Sequence, residues 1–171
     1  SEMCIRDSVQ PVPFSMAQRR GLGTKRIESW RASADFAVDA FNDGAHSVAL
    51  ATVGDPAVYS TFTYLRANVE ERLPDVVIAL VPGITAMQAI AAAAGTPLVE
   101  GREILALVPA TVGSEKLGEV LDVVDSVTVY KGGRKMPEVL EQIRERGRDA
   151  IIGTDVSLPT QHLLGLSLIH I

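Results

Sequence analysis

The sequence predicts an α/β fold: strands and helices in alternation around a largely parallel sheet. Apolar runs too short for an ordinary helix alternate with amphipathic stretches along the whole chain, and Gly or Pro turns separate them. The composition agrees, since 47% of the 171 residues are hydrophobic but only 5% are aromatic, so the core is built from Ala, Val, Leu and Ile. That is the composition of short helices packed on strands buried on both faces.

The elements follow in order. From Ile27, the residues Trp30, Ala34, Ala37, Val38 and Phe41 recur three or four apart and predict a helix, with Thr24 at its start and Gly44 beyond its end. Val48 to Val53 reads as a buried strand. Phe62, Leu65, Val69 and Leu73 share one helical face, and Pro74-Asp75 stops that helix before a second strand, Val76 to Val81. Thr85 to Ala94 is an Ala-rich helix closed by Gly95. Then come a strand at Glu103 to Val108, a helix at Ser114 to Val124 and a strand at Ser126 to Tyr130. Pro137 opens a helix to Arg146, and Ala150 to Gly153 is a last strand. Parallel pairing through right-handed crossovers is expected throughout. The Gly95 to Gly101 stretch, GTPLVEG, marks an expected domain boundary.

Both ends read as foreign. SEMCIRDS and LSLIHI resemble translated sequencing-adapter read-through and join no neighbouring hydrophobic pattern, so residues 1–8 and 166–171 are set aside from the fold. This removes Cys4, the only cysteine, and His170. A chain without a remaining thiol has no disulfide framework, in keeping with a reducing cytoplasm.

The formal charge of −5 gives no general attraction to nucleic acid or anionic lipid. No apolar run reaches the roughly 18 residues of a membrane span. A P-loop is absent, Gly21-Leu22-Gly23 lacks the strand and third glycine of a dinucleotide fingerprint, and there is no G-x-S-x-G elbow. His46 and His162 have no metal-ligand spacing, so no metal is expected.

In open parallel sheets, ligands bind beyond the carboxyl ends of the strands. Three loops stand there. In the first, Gly54 lets a ligand approach backbone, Asp55 offers a carboxylate to ribose hydroxyls or an amine, and Ser60 and Thr61 supply hydroxyls at a helix start. The same residues also suit a tight turn in which Asp55 or Ser60 caps the helix. The second, Pro82-Gly83-Ile84-Thr85-Ala86, brings backbone to the crevice, with Thr85 either capping the next helix or facing a ligand. The third, Lys131-Gly132-Gly133-Arg134-Lys135, has the ingredients of an anion site and equally those of a solvated basic turn.

A buried strand followed by GDPAVYST and a second followed by PGITAM resembles the tetrapyrrole methylase family. The similarity runs from about Val12 to His162 and includes VPFSM, GTPLVEGREILALVPA, VYKGGRK and GTDVSLP; within the family it points to members acting at C(20) of precorrin-2. The resemblance implies two α/β domains, here 9–98 and 99–165, enclosing a cleft, in an enzyme that is generally a homodimer. It implies S-adenosyl-L-methionine as methyl donor, with Gly54, Asp55, Val58, Tyr59, Ser60 and Thr61 lining its site, Thr85 and Ala86 touching it, and Tyr130 and Lys131 where the second domain closes. Lys131, Arg134 and Lys135 are then candidates to hold the carboxylates of a small-molecule tetrapyrrole. The family also begins with a strand and a G-x-G-P-G-type loop that nothing before Val9 supplies, so the chain reads as an internal fragment. The nearest alternative is a family member acting on another ring position or on a cobalt-bearing intermediate, and the alternative of a different class is a non-catalytic α/β domain that binds a nucleotide or acidic metabolite.

Overall fold

A computed structural model describes Pro11, Val12 and Thr24–Leu166. The expected Val9 start, the VPFSM stretch beyond Val12 and the two set-aside ends, apart from Leu166, lie outside the described residues. The chain forms two compact units that part between Gly83 and Ile84, ahead of the 95–101 stretch singled out by its glycines and proline.

The first unit holds α1 (Thr24–Asn42) and α2 (Phe62–Arg72). Ala34 of α1 packs with Leu65 and Val69 of α2, and Ala37, Leu50, Phe62, Leu73 and Val76 close around them. Trp30 is buried and stacks on Tyr64, ring centroids 3.8 Å apart and planes 4° from parallel. An Arg72–Asp35 ion pair ties the end of α2 to α1.

Residues 48–53 and 76–81, both expected as strands, form no ladder among the described residues. Leu50 and Val76 reach the core, but Val53, Val77 and Val81 are 100%, 91% and 80% exposed. Between these segments and the helices lies a cavity of about 530 Å³, lined among others by Ala37, Phe41, Leu50, Val69 and Ile78. The apolar pattern specifies burial, whereas a ladder requires a neighbouring backbone at about 4.8 Å to take up N–H and C=O groups. That neighbour is not found here among the described residues.

The second unit begins with α3 (Ala86–Ala94), followed by β1 (Leu105–Pro109), α4 (Ser114–Val123), β2 (Ser126–Tyr130), α5 (Met136–Glu145), β3 (Ala150–Thr154) and β4 (His162–Leu166). β1 and β2 pair in parallel, Leu105 opposite Ser126 through Pro109 opposite Tyr130, with α4 as the crossover. Leu117 and Leu121, four apart on α4, meet Val108, Ala110 and Val139 of α5 in the core, and Ala106, Val127, Val129 and Ile143 pack against them. Pro137 sits in the first turn of α5, where its missing N–H costs nothing. The Arg148 guanidinium donates to the carbonyls of Leu121, Val124 and Asp125, satisfying acceptors that the end of α4 leaves over.

β3 and β4 depart from the expected parallel order. They pair antiparallel across the short connection 155–161, with Thr154 opposite His162. A seven-residue connection cannot carry a parallel crossover, so the chain turns back. Leu166, set aside on sequence grounds, pairs with Ala150 and completes this ladder. Gly153 lets α3 come close to β3, since a Cβ there would stand 2.6 Å from Ile90 Cγ1.

Candidate functional site

The first two loops meet inside the first unit. Gly54 takes a φ of 82°, a backbone state that favours glycine, and turns the chain out of segment 48–53. Asp55 then accepts twice: Oδ1 from the Ala57 N–H at 2.7 Å and Oδ2 from the Gly83 N–H at 2.9 Å. These bonds, from Gly83 first and Ala57 second, hold its carboxyl below the ordinary aspartate range, because N–H donors favour the charged form. A Cβ on Gly83 would run into the Gly54 carbonyl oxygen, so only glycine allows this approach.

The rest of the first loop feeds α2. The Val58 N–H donates to the Asp55 carbonyl at 3.3 Å, closing a turn stiffened by Pro56. Tyr59 has a φ of 50°, uncommon for a residue with a side chain. Ser60 Oγ accepts from the Phe62 N–H at 3.1 Å, and the Thr61 carbonyl accepts from the N–H groups of Tyr64 and Leu65. Ser60 thus serves the helix start, one of the two roles the sequence left open.

In the second unit, Thr85 is buried and forms a capping box with Gln88. Thr85 Oγ1 accepts from the Gln88 N–H at 3.3 Å, and Gln88 Oε1 accepts from the Thr85 N–H at 3.0 Å. The cap is thus the role the structure gives that side chain. Ala86 is the exposed first residue of α3.

Tyr130 ends β2, and Lys131 follows with a φ of 59°. Gly132 is buried against Met136, whose Cε would lie 2.6 Å from an added Cβ. Arg134 is exposed in the short helical turn Gly133–Lys135. Lys135 Nζ donates to both oxygens of Glu138, at 2.7 and 2.8 Å, so its charge is already shared. His46 and His162 are exposed, and no group of three metal-ligating side chains occurs among the described residues. No helix among them is long and apolar enough to cross a membrane.

Sequence reasoning missed the Gly83 N–H as a partner of Asp55. The Asp-Pro-Ala run signals the local bond to Ala57, but nothing in a one-dimensional pattern announces a partner 28 residues away.

Comparison with known proteins follows the same lines. The chain is 32% identical over 125 residues to the precorrin-2 C(20)-methyltransferase of Sinorhizobium sp, a match over 73% of this chain and 49% of that protein. It is 40% identical over 106 residues to the probable cobalt-precorrin-2 C(20)-methyltransferase of Methanocaldococcus jannaschii, over 62% of this chain and 43% of that one. The chain therefore spans about half the length of these curated relatives. The crystal structure of the methyltransferase CobJ matches 80% of this chain and 62% of its own with a TM-score of 0.60 and 26% identity, which supports the α/β class. The family model of the Tetrapyrrole (Corrin/Porphyrin) Methylases matches residues 2–168. With nearly the whole length matched, the chain belongs to the tetrapyrrole methylases.

Proposed function

We propose that this chain is part of an S-adenosylmethionine-dependent methyltransferase that methylates precorrin-2 at C(20) in cobalamin biosynthesis. The observation that carries the reading is the joined pair of loops, in which Gly83 approaches the Gly54 carbonyl with no side chain between them and Asp55 bonds one loop to the other. Backbone loops brought together in this way fit an adenosyl group, which is held mainly by main-chain groups and close approach rather than by a counter-charge. The cofactor-binding residues proposed are Gly54, Asp55, Val58, Tyr59, Ser60 and Thr61 in the first unit, and Thr85, Ala86, Tyr130 and Lys131 in the second. When bound, S-adenosylmethionine supplies a methyl already activated on a positively charged sulfur. The chain's own task is alignment: holding a substrate carbon in line with that methyl is worth several kcal/mol without any covalent help from the protein.

Precorrin-2 carries carboxylate side chains, and Lys131, Arg134 and Lys135 are proposed to anchor them, with Arg134 foremost because Lys135 shares its charge with Glu138. The paired change Arg134→Ala and Lys135→Ala is expected to weaken tetrapyrrole binding about tenfold while leaving cofactor affinity unchanged. A cytoplasmic, homodimeric enzyme with domains 9–98 and 99–165 completes the proposal. The Methanocaldococcus relative, named for a cobalt-bearing precorrin, gives a second reading in which the substrate already holds cobalt.

Calorimetry with S-adenosylhomocysteine tests the cofactor, and binding of ATP with equal affinity would favour a general nucleotide-binding domain instead. Turnover of precorrin-2 against cobalt-precorrin-2 by a version extended to the length of the relatives decides between the two substrates.

A further inference from the structure

The Asp55 carboxylate bonds the first loop to the second. Its two oxygens point in different directions, one back to Ala57 two residues on and one across to Gly83. Independently, the Gly83 backbone lies so close to the Gly54 carbonyl that no side chain fits. Both features fall at one stretch of the first loop, Gly54-Asp55, where the second loop approaches it closely and is bonded to it. Segments 48–53 and 76–81, which lead into these loops, form no ladder among the described residues, and the Asp55 bond ties the loops together where the segments end.

We propose that Asp55 is a positioning residue whose carboxylate braces the Gly83 loop against the Gly54 loop, rather than a ligand for the hydroxyls of an adenosyl group. The inference rests on the reading of these loops as a cofactor site and assigns a role within it. The brace is charge-assisted, since N–H donation to a carboxylate is stronger than to a neutral acceptor. A carboxylate has lone pairs beyond the two used here, so the experiment has to separate brace from ligand contact.

Hydrogen exchange on the ligand-free full chain reads the brace directly. Asp55→Ala is expected to speed exchange at the amides of Gly83 and Ala57 about fivefold, while the core amides of Leu65 and Val69 stay as in the parent. Asp55→Asn, which keeps one acceptor and nearly the same shape, should lie between the two. Unchanged exchange at Gly83 in both variants overturns the proposal. If Asp55→Ala also loosens Leu65 and Val69, Asp55→Asn supplies the comparison.

Calorimetry then adds a cycle of parent and Asp55→Ala against S-adenosylhomocysteine and its 2′,3′-dideoxy counterpart. A brace weakens both ligands by the same factor, about tenfold, because the loops move for either. A loss confined to the ligand that keeps its hydroxyls overturns the proposal and makes Asp55 a direct contact. If neither ligand binds the parent chain, the cofactor reading fails, and the exchange result still decides whether Asp55 braces the loops.

Discussion

The two units spend similar sequences differently. In the second, β1 with β2 and β3 with β4 satisfy one another's backbone, and five buried residues from two strand-proximal segments and two helices form one cluster. In the first, 48–53 and 76–81 are at least as apolar, yet among the described residues they form no ladder, and three buried residues make the central cluster there. Composition therefore does not separate segments that form ladders among the described residues from segments that do not. What separates them is whether a neighbouring backbone stands beside each strand, and in the second unit α4 and the 155–161 turn deliver it within a short stretch of chain.

The sharpest way to break this comparison is to remove core volume from each side. Leu117→Ala empties a position that is 1% exposed and should cost about 3 kcal/mol, read from urea unfolding. Leu65→Ala in the first unit should cost less, about 2 kcal/mol, because its cluster already borders the 530 Å³ cavity. Equal losses would mean that the cavity is filled in solution.

Thr85→Ala deletes one half of a capping box and should destabilise α3 by about 1 kcal/mol, with Thr85→Ser restoring most of it. Thermal unfolding of the two variants side by side checks this. An Ala-rich helix of nine residues has little else to define its start.

On the unladdered side, Val53→Lys and Val77→Lys alter residues that are 100% and 91% exposed, so the change in stability should stay within about 0.5 kcal/mol. Their larger effect is on association, because exposed apolar segments promote pairing between chains. Sedimentation at rising concentration should show the double variant more monomeric than the parent. Equal association would place the sticky surface elsewhere.

The smallest expected effect is electrostatic. Arg146 bonds Asp122 and holds its carboxyl below the ordinary value of 3.8. A depressed folded value contributes stability that is complete above the unfolded value and is lost as pH falls through the folded one. Asp122→Asn should therefore be slightly less stable than the parent at pH 7, with the gap closing below about pH 4. Urea midpoints across that range give the curve.

These contrasts also mark what was legible in the residues. Helices α1 to α5 were, because their apolar spacing and their caps, Thr85 and Gly95 among them, are local. The strands Leu105–Pro109 and Ser126–Tyr130 were legible as apolar runs with a helix between them. Leu163 to Leu166 was not, since its neighbour Ala150 gives it meaning only once the turn at Asp155 and Ser157 has formed, both with positive φ. The loops of the candidate site were legible by glycine and by motif, whereas the bond from Gly83 to Asp55 is tertiary and has no local signature.

Trp30 is the only tryptophan in the chain, and it lies under Tyr64 within the first unit. Its fluorescence is therefore a private optical channel: emission excited beyond the absorption of tyrosine reports on the α1–α2 pair in which Trp30 sits. Far-ultraviolet dichroism sums over both units. Recording both signals along one denaturation curve separates the melting of the first unit from that of the second without cutting the chain or adding a label.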